Sequence, residues 1–309
     1  MVQTPTVSVV IPAFNSAGTI QRALDSVLAQ QGAEVEVIIV DDGSTDDTLA
    51  AIEPYQPGVN VLRQANAGPS AARNLALPQC SGEFVAFLDS DDEWLAGRLA
   101  EGLAPALHDP NVVMTFCWAY LRRANGRQSL RNKRSPGHDP QHLLLWPSPM
   151  QQTSGTLCRR SVLEEVGGFD TDLSTREDLD LWIRMAERGA VAEVRSPLMI
   201  THESTGSYSF AHTIESQRRD YFRVIDKALA RVPERYAAVE QRIRAEAHRY
   251  WGQFALYHGD LERARVDLAR SIDLHARLST RLLAVLARLP HTVTRPLRRL
   301  YGWTRRRAL

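Results

Sequence analysis

Two short apolar runs end abruptly in clusters of acid, and no other feature of the chain constrains its fold as much. Residues 35–40 and 84–88 are rich in β-branched and aromatic side chains. They lead directly into Asp41, Asp42, Gly43 and Ser44 and into Asp89, Ser90, Asp91 and Asp92. Runs of this length and composition read as strands buried on both faces of a parallel sheet. Carboxylates at the carboxyl ends of such strands lie where an open α/β sheet binds its ligands, and collecting them there is unfavourable unless a cation or a ligand donor meets them. The pattern points to a divalent cation holding a phosphorylated ligand. A third acidic pair, Glu177 and Asp178, follows further along.

The pattern around these runs is regular. Residues 7–12 read as a first strand, 17–30 as a helix with Ala23, Leu24, Val27 and Leu28 on its apolar face, and 46–53 as a helix capped by Thr45 or Asp46. Residues 59–63 and 70–77 continue as strand and helix. Strand and helix in strict turn imply right-handed crossovers and a sheet covered on both faces. Residues 112–119 are strand-like. The polar stretch 122–140, with five arginines and one lysine, reads either as a solvated loop or as a charged surface meeting an anionic acceptor. Residues 154–170 read as strand, helix and a Gly-Gly stop, 179–188 as a helix turning Leu181, Trp182 and Met185 to the core, and 194–200 as a strand. From 210 to about 289 the period is helical, and 251–271 looks like one tetratricopeptide-type hairpin.

Composition excludes several classes. No Gly-x-Gly-x-x-Gly follows the first strand, and Lys133 and Lys227 are the only lysines, so dinucleotide and P-loop readings fall away. A net charge of +1 gives no case for nucleic-acid binding. The three cysteines lie far apart without metal-ligand spacing and read as reduced thiols. The N-terminus lacks the n- and h-regions of a signal peptide, and no stretch approaches the ~18–20 apolar residues of a spanning helix. From residue 274 onward there are nine arginines and no acid. This tail, with Leu297, Leu300, Tyr301 and Trp303, reads either as a solvated end or as an amphipathic segment on an anionic membrane. The expected location is cytoplasmic, peripheral on the inner face of the membrane.

Residues 7–15, 40–46, 66–74 and 87–92 follow in order with short gaps. Together they resemble the nucleotide-sugar-binding half of the family 2 inverting glycosyltransferases, over residue 7 to about 207. The resemblance implies an α/β, Rossmann-like GT-A fold with a mixed central sheet over 1–208, followed by a helical region over 209–309. It implies transfer of a sugar from a nucleotide-diphosphate sugar, with UDP the expected nucleotide, to a glycan or lipid-linked acceptor. The Gln-x-x-Arg-Trp motif of processive members is absent, so single-sugar transfer is expected.

By the same resemblance Pro12, Phe14, Asp41, Arg73, Asp89 and Ser90 approach the nucleotide, with Asp41 accepting from the base imide N–H. Asp91 is the expected direct ligand of Mg²⁺ or Mn²⁺, cations that take hard oxygen donors. His202 either approaches the metal or diphosphate or is an ordinary structural histidine, and Asn74 is read as structural. Asp178 is the candidate general base for the acceptor hydroxyl, with Glu177 and Asp180 as competitors. A sugar-1-phosphate nucleotidyltransferase would need a Gly-rich loop and a Lys after the first strand. A catalytically silent scaffold is disfavoured by the presence of Asp91 and Asp178.

Overall fold

In the computed structural model, which describes residues 4–131, 139–145, 152–203 and 213–289, two units separate: 1–134 with 150–213, and 135–149 with 214–309. In the first, the β-branched runs form the middle of a sheet. Strands β1 (Thr6–Ala13), β2 (Glu34–Asp41), β3 (Asn60–Arg63) and β4 (Phe84–Phe87) pair in parallel in the order β3-β2-β1-β4. Helices α1 (Ile20–Leu28), α2 (Thr48–Ile52) and α3 (Pro69–Ala76) make the crossovers. Val7, Val9, Ile11, Val37, Ile39, Phe84 and Ala86 pack with Ile20, Ala23, Leu24 and Val27 in one core. Each Val, Leu, Ile or Phe among them contributes roughly 1.5–3 kcal/mol on burial.

The sheet then changes sense. After β5 (Glu93–Trp94) and α4 (Arg98–His108) come β6 (Val112–Arg122), β7 (Gln128–Arg131), β8 (Thr156–Arg159) and, beyond α6 (Arg160–Glu165) and α7 (Glu177–Ala186), β9 (Ala190–His202). β8 runs antiparallel to both β4 and β6, and β9 is parallel to β6. β6 and β9 therefore run in the same sense as β1 and β4. His202, at the end of β9, reaches the same sheet edge as Asp41 and Asp89.

Four local expectations change. Leu28 is 52% exposed and Ile20 takes its place in the α1 stripe, because at 100° per residue Leu28 lies on the stripe's edge. α2 begins at Thr48 with Asp47 at the N-cap position, while the Asp46 carboxylate accepts the Thr48 N–H at 3.0 Å. The first part of the polar stretch is a hairpin of β6 and β7 rather than loop. α7 starts at Glu177, two residues early, with Leu181, Trp182 and Met185 fully buried. Residues 132–138 and 204–212 and the tail from 290 lie outside the described residues.

The second unit comprises α5 (Pro140–Leu145), α8 (Ile214–Arg231), α9 (Pro233–Tyr236), α10 (Glu240–His258), α11 (Leu261–Leu274) and α12 (Leu278–Arg288). α5 is tied in by Gln141 Nε2 donating to the Arg235 carbonyl at 3.0 Å and by Tyr221 Oη donating to that of Leu144 at 3.4 Å. The expected α10–α11 hairpin is present. It turns at Gly259 in the left-handed region, and Asp260 caps α11 by accepting the Arg263 N–H at 2.9 Å. Among the described residues, no helix is long and apolar enough to cross a membrane.

The hairpin is closely packed at Gly252, where an added Cβ would lie 2.7 Å from Leu268 Cγ and 3.2 Å from its backbone nitrogen. Gly252→Ala gains about 1 kcal/mol of helix propensity. It loses about 1–3 kcal/mol to overpacking. Urea titration should therefore show net destabilisation of up to ~2 kcal/mol, and the same Gly252→Ala change made in a Leu268→Ala background should cost much less.

Candidate active site

The loops after β1 and β2 are tied together by side chains. Asn15 takes a positive φ of 50°, accepts the Thr45 N–H at 2.8 Å, and donates its own N–H to Ser44 Oγ at 3.0 Å. Ser16 N–H reaches Thr48 Oγ1 at 2.7 Å. Phe14, between these ties, is 46% exposed and so available to stack on a planar ligand. Pro12 is buried within β1 opposite Val40. The two acids after β2 divide their work. Asp42 accepts from Gln64 Nε2 at 2.7 Å and from the N–H groups of Ala67 and Gly68 at 2.8 and 2.9 Å, which fixes the loop before α3. Asp41 is fully buried; its Oδ1 accepts the Ser44 N–H at 3.1 Å, whereas Oδ2 has no hydrogen bond, only the Arg63 guanidinium 3.4 Å away. Gly43 makes the turn possible, with φ 75° and a Cβ position 2.9 Å from Asn66 N.

The cluster after β4 follows the same division. Asp92 is buried and accepts from Ser154 Oγ at 2.6 Å and from the His202 backbone N–H. Ser154 Oγ also accepts the Asp89 N–H at 3.0 Å, and the Ser154 carbonyl accepts Trp94 Nε1 at 2.8 Å. Ser90 and Ser16 hydroxyls lie 2.8 Å apart, tying this loop to the one after β1. Arg22, from α1, donates to the Asp91 carbonyl at 2.6 Å. Burial, then the charge of Asp89, pushes the Asp91 carboxyl above the usual aspartate value. Burial, then Asp89 and Asp91, raise Asp92 well above it. His202 Nε2 lies 3.2 Å from Glu93 Oε1; burial and then Arg22 hold its imidazole below the ordinary value, favouring the neutral ring.

Arg73 connects this cluster to the third acidic pair. Its buried guanidinium lies 2.5 Å from Asp89 Oδ1 and 3.8 Å from Glu177 Oε1, and 5.1 Å from the ring centre of Phe169. Asn74, next in α3, brackets the Phe169 backbone, donating to its carbonyl at 2.7 Å and accepting its N–H at 2.8 Å. That is the structural part expected of it. α7 starts from Arg176 at φ 65°, a left-handed non-glycine residue. Burial raises Glu177 to about 7, with Asp178 adding and Arg73 opposing. Burial likewise raises Asp178, against Arg176. Asp180, by contrast, is buried in an ion pair with Arg184 at 2.6 Å. Sequence reasoning assigned no role to Arg22, Glu93 or Ser154, whose partners are 60–110 residues away.

Among the described residues no three His, Cys, Asp or Glu side chains form a metal cage by themselves. Mg²⁺ binds through one or two carboxylates and completes its shell with water and phosphate oxygens. Crowded hard oxygen donors fit such a cation, and Asp91, whose carboxyl is raised by burial and by the charge of Asp89, is the candidate ligand among them.

The mixed sheet, with acidic clusters at the ends of β2 and β4 and a third acidic pair at the start of α7, is that of a glycosyltransferase of the GT-A type. The family model for glycosyl transferase family 2 matches residues 8–167, and the chain belongs to that family. It is 31% identical to TuaG of Bacillus subtilis, named as a teichuronic acid biosynthesis glycosyltransferase, over 61% of this chain and 75% of that one. It also matches the chondroitin synthase of Escherichia coli at 28% identity over 74% of this chain, but spans only 33% of that protein's length, and about a third of the Rickettsia glycosyltransferases it matches. TarS of S. aureus shares the fold with a TM-score of 0.65 at 21% identity, covering 95% of this chain and 91% of that one. So does the mannosyltransferase PcManGT of Pyrobaculum calidifontis, solved with GDP-Man and Mn²⁺, with a TM-score of 0.55 at 20% identity over 97% and 88% of the two chains.

Arg73 is the strongest test of this geometry. Removing one partner of a buried ion pair costs about 3–5 kcal/mol, and less where a partner keeps some solvent. Asp89 is 37% exposed, so Arg73→Met should cost about 2–4 kcal/mol in urea titration. Asp89→Asn in the same background should recover part of the loss; independent, additive effects would mean the two groups are not coupled.

Proposed function

We propose that the chain transfers a sugar from a nucleoside-diphosphate sugar to a hydroxyl of a glycan or lipid-linked acceptor, with inversion and with help from Mg²⁺ or Mn²⁺. The observation that carries this reading is the buried Asp41 Oδ2, which has no hydrogen bond, at one strand end, beside Asp89 and Asp91 at the next, with Arg73 linking Asp89 to Glu177, the neighbour of a raised Asp178. Asp41 Oδ2 is suited to accept an imide N–H, and exposed Phe14 to lie against the base. A bound cation would neutralise charge developing on the departing diphosphate. Asp91 would hold it, with His202 nearby as a neutral ring. TarS has also been solved in complex with UDP-GlcNAc, which supports a nucleotide sugar of the same kind here.

The remaining chemistry belongs to Asp178. A carboxylate opposite the leaving group takes the acceptor proton as the hydroxyl attacks the anomeric carbon. A pKa raised by burial makes it a stronger base than a solvated aspartate.

Donor hydrolysis and transfer, measured over a panel of nucleotide sugars, test the reading. Asp91→Asn keeps the shape but loses the charge that would hold the cation, and should abolish activity, as should excess EDTA. Full turnover in EDTA would remove the metal from the proposal.

Asp178→Asn should fold, bind donor and lose transfer by about 10²- to 10⁴-fold. The base works ionised, so kcat should rise with pH along an acid limb set above the ordinary carboxylate range of about 4. Glu177→Gln should leave transfer largely intact, since burial, Arg176, Arg73 and Asp89 are what act on Asp178. A crippling Glu177→Gln with a mild Asp178→Asn would reassign the base.

A further inference from the structure

α12 is apolar on both sides. Thr280 and Ala287 are buried, and Leu283, Ala284 and Leu286 pack on the α10–α11 cluster. On the opposite side Leu278, Leu282 and Val285 are 75%, 59% and 56% exposed. Their spacing of four and then three residues places them in one stripe. A helix apolar all round is normally covered on every side.

Charge selects what covers it. Exposed Arg281 and Arg288 run along one edge of the stripe, and no acid occurs between residue 274 and the end of the chain at 309, where nine arginines do. A second copy docked by a two-fold axis would bring this arginine-edged stripe against itself, positive on positive. Anionic headgroups complement it.

We propose that α12 is a lipid-contact helix: Leu278, Leu282 and Val285 enter the boundary between headgroups and acyl chains, and Arg281 and Arg288 meet lipid phosphates. The inference does not depend on the donor or acceptor, and it locates membrane contact in a folded helix rather than in the tail alone.

Flotation of the full chain with vesicles tests it, comparing phosphatidylglycerol mixed into phosphatidylcholine with phosphatidylcholine alone. Binding is expected to the anionic vesicles and to weaken with salt. Leu282→Ser combined with Val285→Ser should weaken it by about tenfold or more without changing melting temperature or donor hydrolysis. Arg281→Glu combined with Arg288→Glu should weaken it about tenfold at low salt. No binding by the parent chain would overturn the proposal. Binding that ignores both double variants would too, since it would then belong to residues 290–309. A concentration-dependent dimer broken by Leu282→Ser with Val285→Ser would assign the stripe to a second copy instead.

Discussion

The site depends on one buried cation. Arg73 lies between Asp89, at the end of β4, and Glu177, at the start of α7, which burial and then Asp178 raise, with Asp89 adding a little. Without the guanidinium these carboxylates would repel one another across a poorly solvated gap. Asn74 fixes Phe169, whose ring packs edge-on to Phe87 with 5.1 Å between centres and lies over Arg73. Two consecutive residues of α3 therefore hold both the strand-end cluster and the segment leading to α7. Gly168 allows the close approach, since a Cβ there would lie 2.6 Å from Asn74 Oδ1.

At each strand end one acid supports the loop and another stays available. Asp42 is saturated by three donors while Asp41 Oδ2 has no hydrogen bond. Asp92 is held by Ser154 and the His202 N–H, while Asp91 is bound at its carbonyl by Arg22. A buried acceptor without a donor costs about 1–3 kcal/mol. Such a cost at the end of β2 is expected where a ligand completes the bonding.

Much of this was legible in the sequence. β-branched runs buried on both faces leave few alternatives to strand, and acids at their ends mark the binding edge. Features fixed by distant contacts were not legible. Nothing local marks Ser154 as the partner of both Asp89 and Asp92, or Arg22 as support for the turn at Asp91. One miss did have a local signal. Asn125-Gly126 is a strong hairpin dipeptide, and it sits at the turn between β6 and β7, closed by Arg123 N–H donating to the Arg127 carbonyl at 2.8 Å. The surrounding arginines drew the reading toward a solvated loop instead.

The helical unit shows what a buried carboxylate looks like when it serves structure alone. Asp267 is fully buried between Arg218 at 2.7 Å and His248 at 2.8 Å. Burial pushes it up, yet the hydrogen bonds from His248 and Arg218 win and hold it below the ordinary value. A depressed carboxylate contributes stability that is present above its unfolded pKa and is lost as pH falls through the folded one. Asp91, Asp92, Glu177 and Asp178 are shifted the other way. Their ionised forms weaken the fold as pH rises past the unfolded value, so at neutral pH the first unit carries electrostatic strain that the second has resolved. Unresolved negative charge there is what the proposed cation and base would require.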